Sequence, residues 1–272
     1  MITVLGASGF IGSRLVSQLA ATGAEYQAVG RIEALPTGPL GHVIYCIGLT
    51  ADFRSRPLNT VEAHVCKLLE VLRKCEFESL LYLSSTRLYN PGDGSTEEET
   101  AIRIAPIKPG DLYNASKAMG ESVVLNSGRT TRAVRMSNVY GDDFSSNTFL
   151  SSIINDAIRL KKIVLQTSAD SAKDYVSVKD VVDCLIRIAT SGRERIYNLA
   201  SGVNVSNRRL TETLRHLTGC RVEVAPESPS VTFPPINIDR VRSEFNFNPS
   251  GVIDDLPELV DLFRRNLESS HD

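Results

Sequence analysis

The chain has 272 residues, with 30 Lys and Arg against 32 Asp and Glu and a formal net charge of −2. This length permits a large core, and the scattered charges argue against a nucleic-acid surface or a polybasic membrane patch. No apolar run approaches the roughly 18 residues of a membrane span, and strand-like residues 2 to 5 leave no room for a signal peptide, so we expect a cytoplasmic protein without nucleic-acid or membrane partners.

The cysteines indicate neither a metal site nor a disulfide framework. Their number is odd, no two follow a C-x-x-C pattern, and no histidine stands at metal-ligand spacing from them. We therefore expect reduced thiols, as in a cytosol, and no bound metal. The five residues are Cys46, Cys66, Cys75, Cys184 and Cys220.

Apolar strands and amphipathic helices alternate along the chain, which is typical of a parallel sheet covered by helices on both faces. A helix over residues 57–75 places Val61, Val65, Leu68 and Leu72 on one face. In chain order, the predicted strands are ITVL, EYQAVG, HVIYCIG, SLLYLSS, TRAVRMS and RIYNLAS.

The segment GASGFIG, residues 6–12, stands between the first strand and the first helix, where a glycine-rich turn binds a dinucleotide. Gly6 would permit a tight turn, Gly9 would let the backbone approach a pyrophosphate, and Gly12 would let helix and strand pack closely. A plain tight turn is the alternative, and three glycines at this spacing make it the weaker one. The predicted cofactor-binding residues of this segment are Gly6, Ser8, Gly9, Phe10, Ile11 and Gly12.

The end of the second strand favours NADP(H) over NAD(H). An acidic residue there would bind the ribose 2′-hydroxyl of NAD, whereas Gly30 and Arg31 offer no carboxylate and a guanidinium suited to a 2′-phosphate. The alternative is that Arg31 is a solvated loop residue.

In DLYNASKAMGE, residues 111–121, Tyr113 and Lys117 lie one helical turn apart. Alone, such a pair recurs by chance in many helices. Together with LYLSSTRLYN, VRMSNVYGDD, KDYVSVKDVV and YNLASG, it resembles the extended short-chain dehydrogenase/reductase family of nucleotide-sugar epimerases, dehydratases and ketoreductases. The resemblance extends from residue 1 to about 200 and continues weakly through INIDRVRSEFNFNPS.

The resemblance implies that Ser85, Tyr113 and Lys117 are catalytic. An unperturbed phenol has a pKa of about 10, and a nearby lysine ammonium favours the phenolate. Tyr113 would then exchange a proton with a sugar oxygen that Ser85 orients. Tyr113 and Lys117 would also contact the cofactor, Lys117 through the nicotinamide ribose. Thr86 either contacts the substrate or bonds to backbone at the strand end.

The resemblance also implies less specific contacts at two other strand ends. Ile47 and Gly48 match a pair whose backbone lines the cofactor, and Met136 and Ser137 match backbone positions near the nicotinamide. Asn138 matches a position that reaches the substrate; the alternative is that it caps the turn before VYG.

The chain departs from the family pattern at three places. The segment from Gly30 to His42 is too short for the usual helix and third strand. Family dehydratases commonly carry Asp-Glu where this chain has Thr86 and Arg87, and an arginine cannot serve as the acid or base of elimination, so a 4,6-dehydratase is disfavoured. The C-terminal region is short, which predicts a compact substrate site. Separately, Lys173 stands where the family usually has an arginine, and a lysine loses bidentate phosphate binding.

We therefore predict an α/β fold with a Rossmann-type doubly wound parallel sheet, a shortened or missing third strand and a small C-terminal substrate-binding region. The predicted dinucleotide-binding domain comprises residues 1–141 plus 175–200. The predicted substrate-binding region comprises residues 142–174 plus 201–272.

The leading functional hypothesis is an NADP(H)-dependent ketoreductase of a nucleotide-linked keto-deoxysugar. An epimerase that retains NAD(P)⁺ is the close alternative, and a non-catalytic dinucleotide-binding redox sensor is an alternative of another class. The resemblance also makes a homodimer plausible, paired through the Tyr113 helix and the amphipathic helix before it.

Overall fold

The computed structural model of the chain describes residues 1–31, 34–49, 53–91, 94–108, 110–144 and 146–269. In chain order, its strands are β1 (Ile2–Leu5), β2 (Tyr26–Val29), β3 (His42–Tyr45), β4 (Ser79–Ser85), β5 (Thr131–Met136), β6 (Asn138–Tyr140), β7 (Lys162–Leu165), β8 (Ala172–Ser177), β9 (Ile196–Leu199), β10 (Asn204–Ser206) and β11 (Arg221–Val224). Its helices are α1 (Phe10–Ala21), α2 (Pro57–Val61), α3 (Lys67–Lys74), α4 (Asp111–Leu125), α5 (Phe149–Arg159), α6 (Val178–Ser191), α7 (Asn207–Thr218), α8 (Asp239–Phe245) and α9 (Val252–Ser269). A π-helical turn (Glu62–Cys66) joins α2 to α3, and a 3-10 turn (Thr86–Leu88) follows β4.

A six-stranded parallel sheet forms the centre of the molecule, in the order β2-β1-β3-β4-β5-β9. Every residue of β4 is buried, as expected of an apolar strand covered on both faces. The predicted Rossmann-type sheet is therefore confirmed. Within the described residues no strand pairs with the outer edge of β2, so the third strand is missing there, as the short segment before His42 predicts.

Helices cover both faces of this sheet. On one face α1 and α6 pack with α8 around a core that includes Leu15, Leu19 and Leu185. On the other face α3 and α4 cover a core that includes Leu68 and Val124. With both faces covered, the carboxyl edge of the sheet is left for binding residues.

The C-terminal region forms a second core between α5, α7 and α9, with Ile154, Leu214 and Phe263 at its centre. Strands β7 and β11 pair beside it, and β10, β8 and β6 form a separate three-stranded sheet. Ile236 and Phe245, however, pack with the core of the large sheet. The C-terminal segment thus contributes to both cores, and the predicted domain boundaries stay a prediction.

The helix predicted over residues 57–75 is interrupted by the π-helical turn, and its predicted apolar face packs in the core only in part, through Leu68 and Leu72. Of the four residues assigned to that face only Leu68 is fully buried, and His64 is buried instead. A π-helical turn contains more residues than an α-helical one, so it rotates the buried face. Hydroxyls from the sheet bind the turn: Tyr45 Oη donates to the carbonyl of Ala63 at 2.7 Å and Tyr82 Oη to that of His64 at 3.3 Å.

The five cysteines are unpaired; Cys75, Cys184 and Cys220 are buried, Cys66 is exposed and Cys46 is half-buried. In the part of the chain that the structure describes, no group of three or more His, Cys, Asp or Glu side chains is arranged to hold a metal ion. None of the described helices has the length and apolar character needed to cross a membrane.

We expect Gly12→Ala to destabilise the fold, because a Cβ at this position of α1 would collide with the carbonyl group of Gly6. The backbone of a tight turn cannot move far enough to relieve this collision, so the free energy of unfolding should fall by about 1–3 kcal/mol. Gly9→Ala is the matched control: its Cβ would lie 3.4 Å from the same oxygen, at an ordinary φ of −79°. Urea unfolding of both variants measures the difference, and equal losses would contradict this packing argument.

Candidate active site

The candidate site lies at the edge of the large sheet where β1, β3, β4 and β5 end. All four strands are parallel, so the residues that follow them meet at this edge. Ligands of open α/β sheets bind at this kind of edge. The turn after β1, the loop after β3, the 3-10 turn after β4 and helix α4 together carry the predicted catalytic residues and most of the predicted cofactor contacts.

The glycine turn after β1 fits a dinucleotide. Gly6 has a φ of +89°, which glycine adopts without strain, and the N–H groups of Gly6 and Ala7 donate to the carbonyl of Val29 at 2.8 and 3.0 Å. Gly9 begins α1 and no side chain caps the helix, which leaves its first N–H groups for an anion. A groove beside the turn is lined by Ala7, Ser8, Ser13, Val16, Ser17, Ala28 and Gly30. No acidic side chain is among these lining residues.

Arg31 follows the groove residue Gly30 directly and is half-buried. Burial raises the pKa of the Tyr45 phenol, and the charge of Arg31 is among the effects that oppose this rise. The charge of Arg31 therefore acts near the end of β3. Arg31 is not itself one of the groove-lining residues.

Ser85, Tyr113 and Lys117 are brought together in a buried cluster, with between 4% and 8% of each residue exposed. Ser85 ends β4, and its side chain is close enough to Tyr113 to oppose the rise in the pKa of that phenol. Lys117 Nζ, one turn further along α4, donates to the carbonyl of Leu83 at 2.8 Å. One strand end and one helix thus position all three predicted catalytic side chains.

Burial dominates the ionisation of this cluster. It raises the pKa of Tyr113, while the hydrogen bond from Ser85 and the charge of Arg87 lower it. Burial also lowers the pKa of Lys117 to about 7, against the opposing charges of Glu121 and Cys46. At neutral pH Tyr113 is therefore a phenol and Lys117 is only partly charged.

The other predicted cofactor contacts also lie at this edge. Ile47 is buried in the loop after β3, and a Cβ added to Gly48 would lie 3.6 Å from Lys117 Nζ. Met136 ends β5, and the N–H of Ser137 donates to the carbonyl of Leu199. The backbone of both loops is therefore held close to the cluster by the sheet.

The two predicted substrate contacts differ in their surroundings. Thr86 is buried in the 3-10 turn, and its carbonyl accepts a hydrogen bond from Tyr89 N–H. Asn138 lies in β6 and is exposed, and its Nδ2 donates to the carbonyl of Asp174 at 2.7 Å. This bond joins the Asn138 side chain to β8, so Asn138 has a structural role in the protein without substrate.

His64 was missed in the sequence. Its Nε2 accepts from the N–H of Leu49 at 3.2 Å, and its Nδ1–H donates at 2.8 Å to Ser116 Oγ, which donates in turn to the carbonyl of Tyr113. Both ring nitrogens are thereby assigned, and the imidazole is neutral. Its ring meets that of Tyr113 edge-on at 5.3 Å. In the sequence, the only sign of a buried His64 is its position within an amphipathic helical segment. The π-helical turn that buries it has no recognisable sequence signature.

Arg87 is the second residue of the site that sequence reasoning did not identify. In the sequence it served only as an argument against a dehydratase. Its guanidinium carbon lies 5.2 Å from the centroid of the Tyr113 ring and 5.2 Å from that of Phe53. Lys173 is half-buried, and its pKa is lowered by burial and by the charge of Arg87. Arg87 is therefore a cation against the phenol ring that the motif resemblance did not place there.

We expect His64 to make the fold sensitive to acid. Burial lowers the pKa of His64 from its ordinary 6.5 to about 2, so a proton binds the unfolded chain more tightly than the folded one. The stability that neutral His64 contributes is complete above pH 6.5 and is lost as the pH falls toward about 2, with a slope of up to about 1.4 kcal/mol per pH unit.

Urea unfolding at several pH values below neutrality measures this slope. His64→Gln should have a shallower slope than the unmodified protein, and the exposed control His216→Gln should retain the original one. Equal slopes for His64→Gln and the unmodified protein would contradict the assignment of a neutral buried imidazole.

Comparison with known proteins agrees with this geometry. The model of the NAD dependent epimerase/dehydratase family matches residues 32–200. The dTDP-glucose 4,6-dehydratase of Streptomyces griseus is 26% identical over 157 residues, which cover 56% of this chain and 47% of that protein. The dTDP-4-dehydro-6-deoxy-D-allose reductase of Streptomyces bikiniensis is 24% identical over 315 residues, which cover 97% of this chain and 96% of that protein. The chain thus spans about half the length of the first relative and nearly all of the second.

Solved structures share the fold at low sequence identity. MoeE5 in complex with UDP-glucose and NAD has a TM-score of 0.82 and 23% identity, covering 98% of this chain and 99% of that one. RMD from Pseudomonas aeruginosa complexed with NADPH has a TM-score of 0.80 and 21% identity, covering 97% and 99%. With the family model matching more than half of its residues, the chain belongs to the NAD dependent epimerase/dehydratase family and is an NAD(P)-dependent enzyme of the extended short-chain dehydrogenase/reductase type.

Proposed function

We propose that the protein is an NADP(H)-dependent ketoreductase that acts on a nucleotide-linked keto-deoxysugar. The observation that carries this proposal is the buried cluster of Ser85, Tyr113 and Lys117 beside the glycine turn. A non-catalytic redox sensor would not need all three side chains, and the family assignment favours an enzyme.

The ionisation of Tyr113 supports reduction. Because burial raises its pKa, Tyr113 holds its proton at neutral pH and can give it to a carbonyl oxygen. Ser85, whose side chain lies close enough to Tyr113 to affect its pKa, can donate to the same oxygen and orient it. Lys117, with a pKa of about 7, can hold or release a proton near neutral pH in the same enclosed space. A bound NADP(H) would supply the hydride.

The surroundings of Tyr113 argue against elimination of water. Removal of water across two carbons needs an acid or base beside the phenol. The residue that follows Thr86 in the 3-10 turn is Arg87, whose side chain lies against the Tyr113 ring. A permanently charged guanidinium cannot take that role, and it favours a reaction that ends with proton donation.

The choice of NADP(H) is supported by the groove beside the glycine turn. Its lining offers the hydroxyls of Ser8, Ser13 and Ser17 and no carboxylate, and Arg31 follows the groove residue Gly30 directly. A carboxylate would repel a 2′-phosphate, whereas hydroxyls and a nearby guanidinium can bind it. Glycines at positions 6, 9 and 12 and the uncapped start of α1 would hold the pyrophosphate.

A homodimer and a cytoplasmic location stay predictions. The homodimer through α4 and the amphipathic segment 57–75 is supported by two exposed apolar side chains, Leu58 and Met119, on these helices. A cytoplasmic location is supported by the unpaired cysteines.

We expect purified protein to consume NADPH in proportion to product when given a dTDP- or UDP-linked 4-keto-6-deoxysugar. Tyr113→Phe should lower kcat/KM by about 10²- to 10⁴-fold, since it removes the proton donor. Its affinity for NADPH should change little. Tyr26→Phe, on the edge strand β2 and partly exposed, is the matched control and should retain activity.

The same assay separates the alternatives. Conversion of the sugar nucleotide with no net loss of NADPH absorbance would favour an epimerase that retains its dinucleotide. Full activity of Tyr113→Phe would contradict both the ketoreductase and the epimerase hypothesis, because both require the Tyr113 hydroxyl.

A further inference from the structure

Arg87 is held beside the phenol by the same turn that positions Ser85. Its backbone N–H donates to Ser85 Oγ at 3.2 Å at the start of the 3-10 turn. Its guanidinium carbon lies 5.2 Å from the ring centroids of both Tyr113 and Phe53, and those two rings lie 5.1 Å apart. The cation therefore lies against an aromatic pair that includes the proton donor.

The charge of Arg87 has no ion-pair partner within the described part of the chain. Of the charged groups around it, Arg54 repels it and Asp111 attracts it, and its own charge lowers the pKa of Lys173. Burial lowers the pKa of Arg87, yet a guanidinium stays protonated in proteins. A half-buried cation that makes no direct ion pair is stabilised when an anion forms next to it.

Lys117 is placed less well to stabilise an anion on Tyr113. Its Nζ lies 6.0 Å from the Tyr113 ring centroid and 5.1 Å from that of Tyr82, and it donates to the carbonyl of Leu83. Burial lowers its pKa to about 7, so its charge at neutral pH is incomplete.

Among the described residues, the other groups against Tyr113 that bear on its ionisation are uncharged. Ser85 at the end of β4 helps to lower its pKa, and the edge of the neutral His64 ring faces it from the π-helical turn. Tyr82 in β4 is a phenol whose pKa burial raises. Within this set, Arg87 is the permanent charge against the ring.

We propose that Arg87, rather than Lys117, is the main cation that stabilises the phenolate of Tyr113 in the free protein. A phenolate spreads negative charge into its ring, so a guanidinium against that ring favours the phenolate over the phenol. Arg87 thereby acts through Tyr113 and not by touching the substrate. This inference concerns the protein without ligands, so it stands or falls independently of the proposed substrate and cofactor.

Fluorine NMR of protein labelled with 3-fluorotyrosine tests the proposal. Fluorination lowers the pKa of every phenol, which brings the titration into a range where the fold persists. The chain has eight tyrosines, and the resonance missing from Tyr113→Phe identifies Tyr113. Arg87→Gln should raise the midpoint of this resonance by about one pH unit, and Arg87→Lys should recover part of the difference.

Matched variants exclude a general loss of charge or packing. Arg54→Gln removes an exposed guanidinium that lies 4.6 Å from the Phe53 ring, and water should screen its effect on Tyr113. Arg87→Met is the second uncharged variant, to be used if Arg87→Gln does not fold. The proposal is overturned if Lys117→Met raises the Tyr113 midpoint as much as the uncharged Arg87 variant, or if that variant leaves the midpoint unchanged.

Discussion

The hydrogen bond from Lys117 Nζ to the carbonyl of Leu83 joins helix α4 to strand β4, and the candidate site depends on it. Leu83 stands two residues before Ser85, and Lys117 stands one turn after Tyr113, so this bond holds the Tyr113 phenol near the end of β4 where Ser85 lies. Such a hydrogen bond contributes about 0.5–1.5 kcal/mol when the donor is neutral and about 1.5–3 kcal/mol when it is charged. Close packing supports it: any side chain at Gly120, the next position on this side of α4, would collide with the Tyr82 ring.

The same packing explains why the ionisable groups of the site are so strongly affected by burial. Glu121 is the carboxylate whose charge acts on Lys117, but Arg135 already binds it through Nε and Nη2 at 2.9 and 2.7 Å. Glu121 therefore offsets the desolvation of Lys117 only in part. Lys117, with a pKa of about 7, can therefore exchange a proton near neutral pH, whereas the Tyr113 phenol stays protonated and the Arg87 guanidinium stays charged.

Local sequence patterns predicted the elements that local physics determines. The glycine spacing predicted a tight turn after β1, and Gly6 has the positive φ that such a turn requires. The apolar runs predicted the strands of the large sheet, and the helical spacing of Tyr113 and Lys117 put them on one face. Ser85 joined them because β4 ends beside α4, which the family resemblance implied.

The rest of the site depends on tertiary contacts that no periodicity encodes. The π-helical turn is stabilised by hydroxyls from Tyr45 and Tyr82 on distant strands, so the burial of His64 could not be inferred from its own helix. Arg87 was recognised as a departure from a motif, but its contact with Tyr113 depends on a 3-10 turn of three residues.

The central claim is that this sheet edge binds a dinucleotide and prefers NADPH. Fluorescence titration of the purified protein with NADPH and with NADH, together with identification of any dinucleotide released on denaturation, tests it directly. We expect the protein to bind NADPH clearly more tightly than NADH, and we expect Arg31→Ser to lose that preference. Tightly retained NAD⁺ would contradict the cofactor assignment, and no binding of either dinucleotide would contradict the account as a whole.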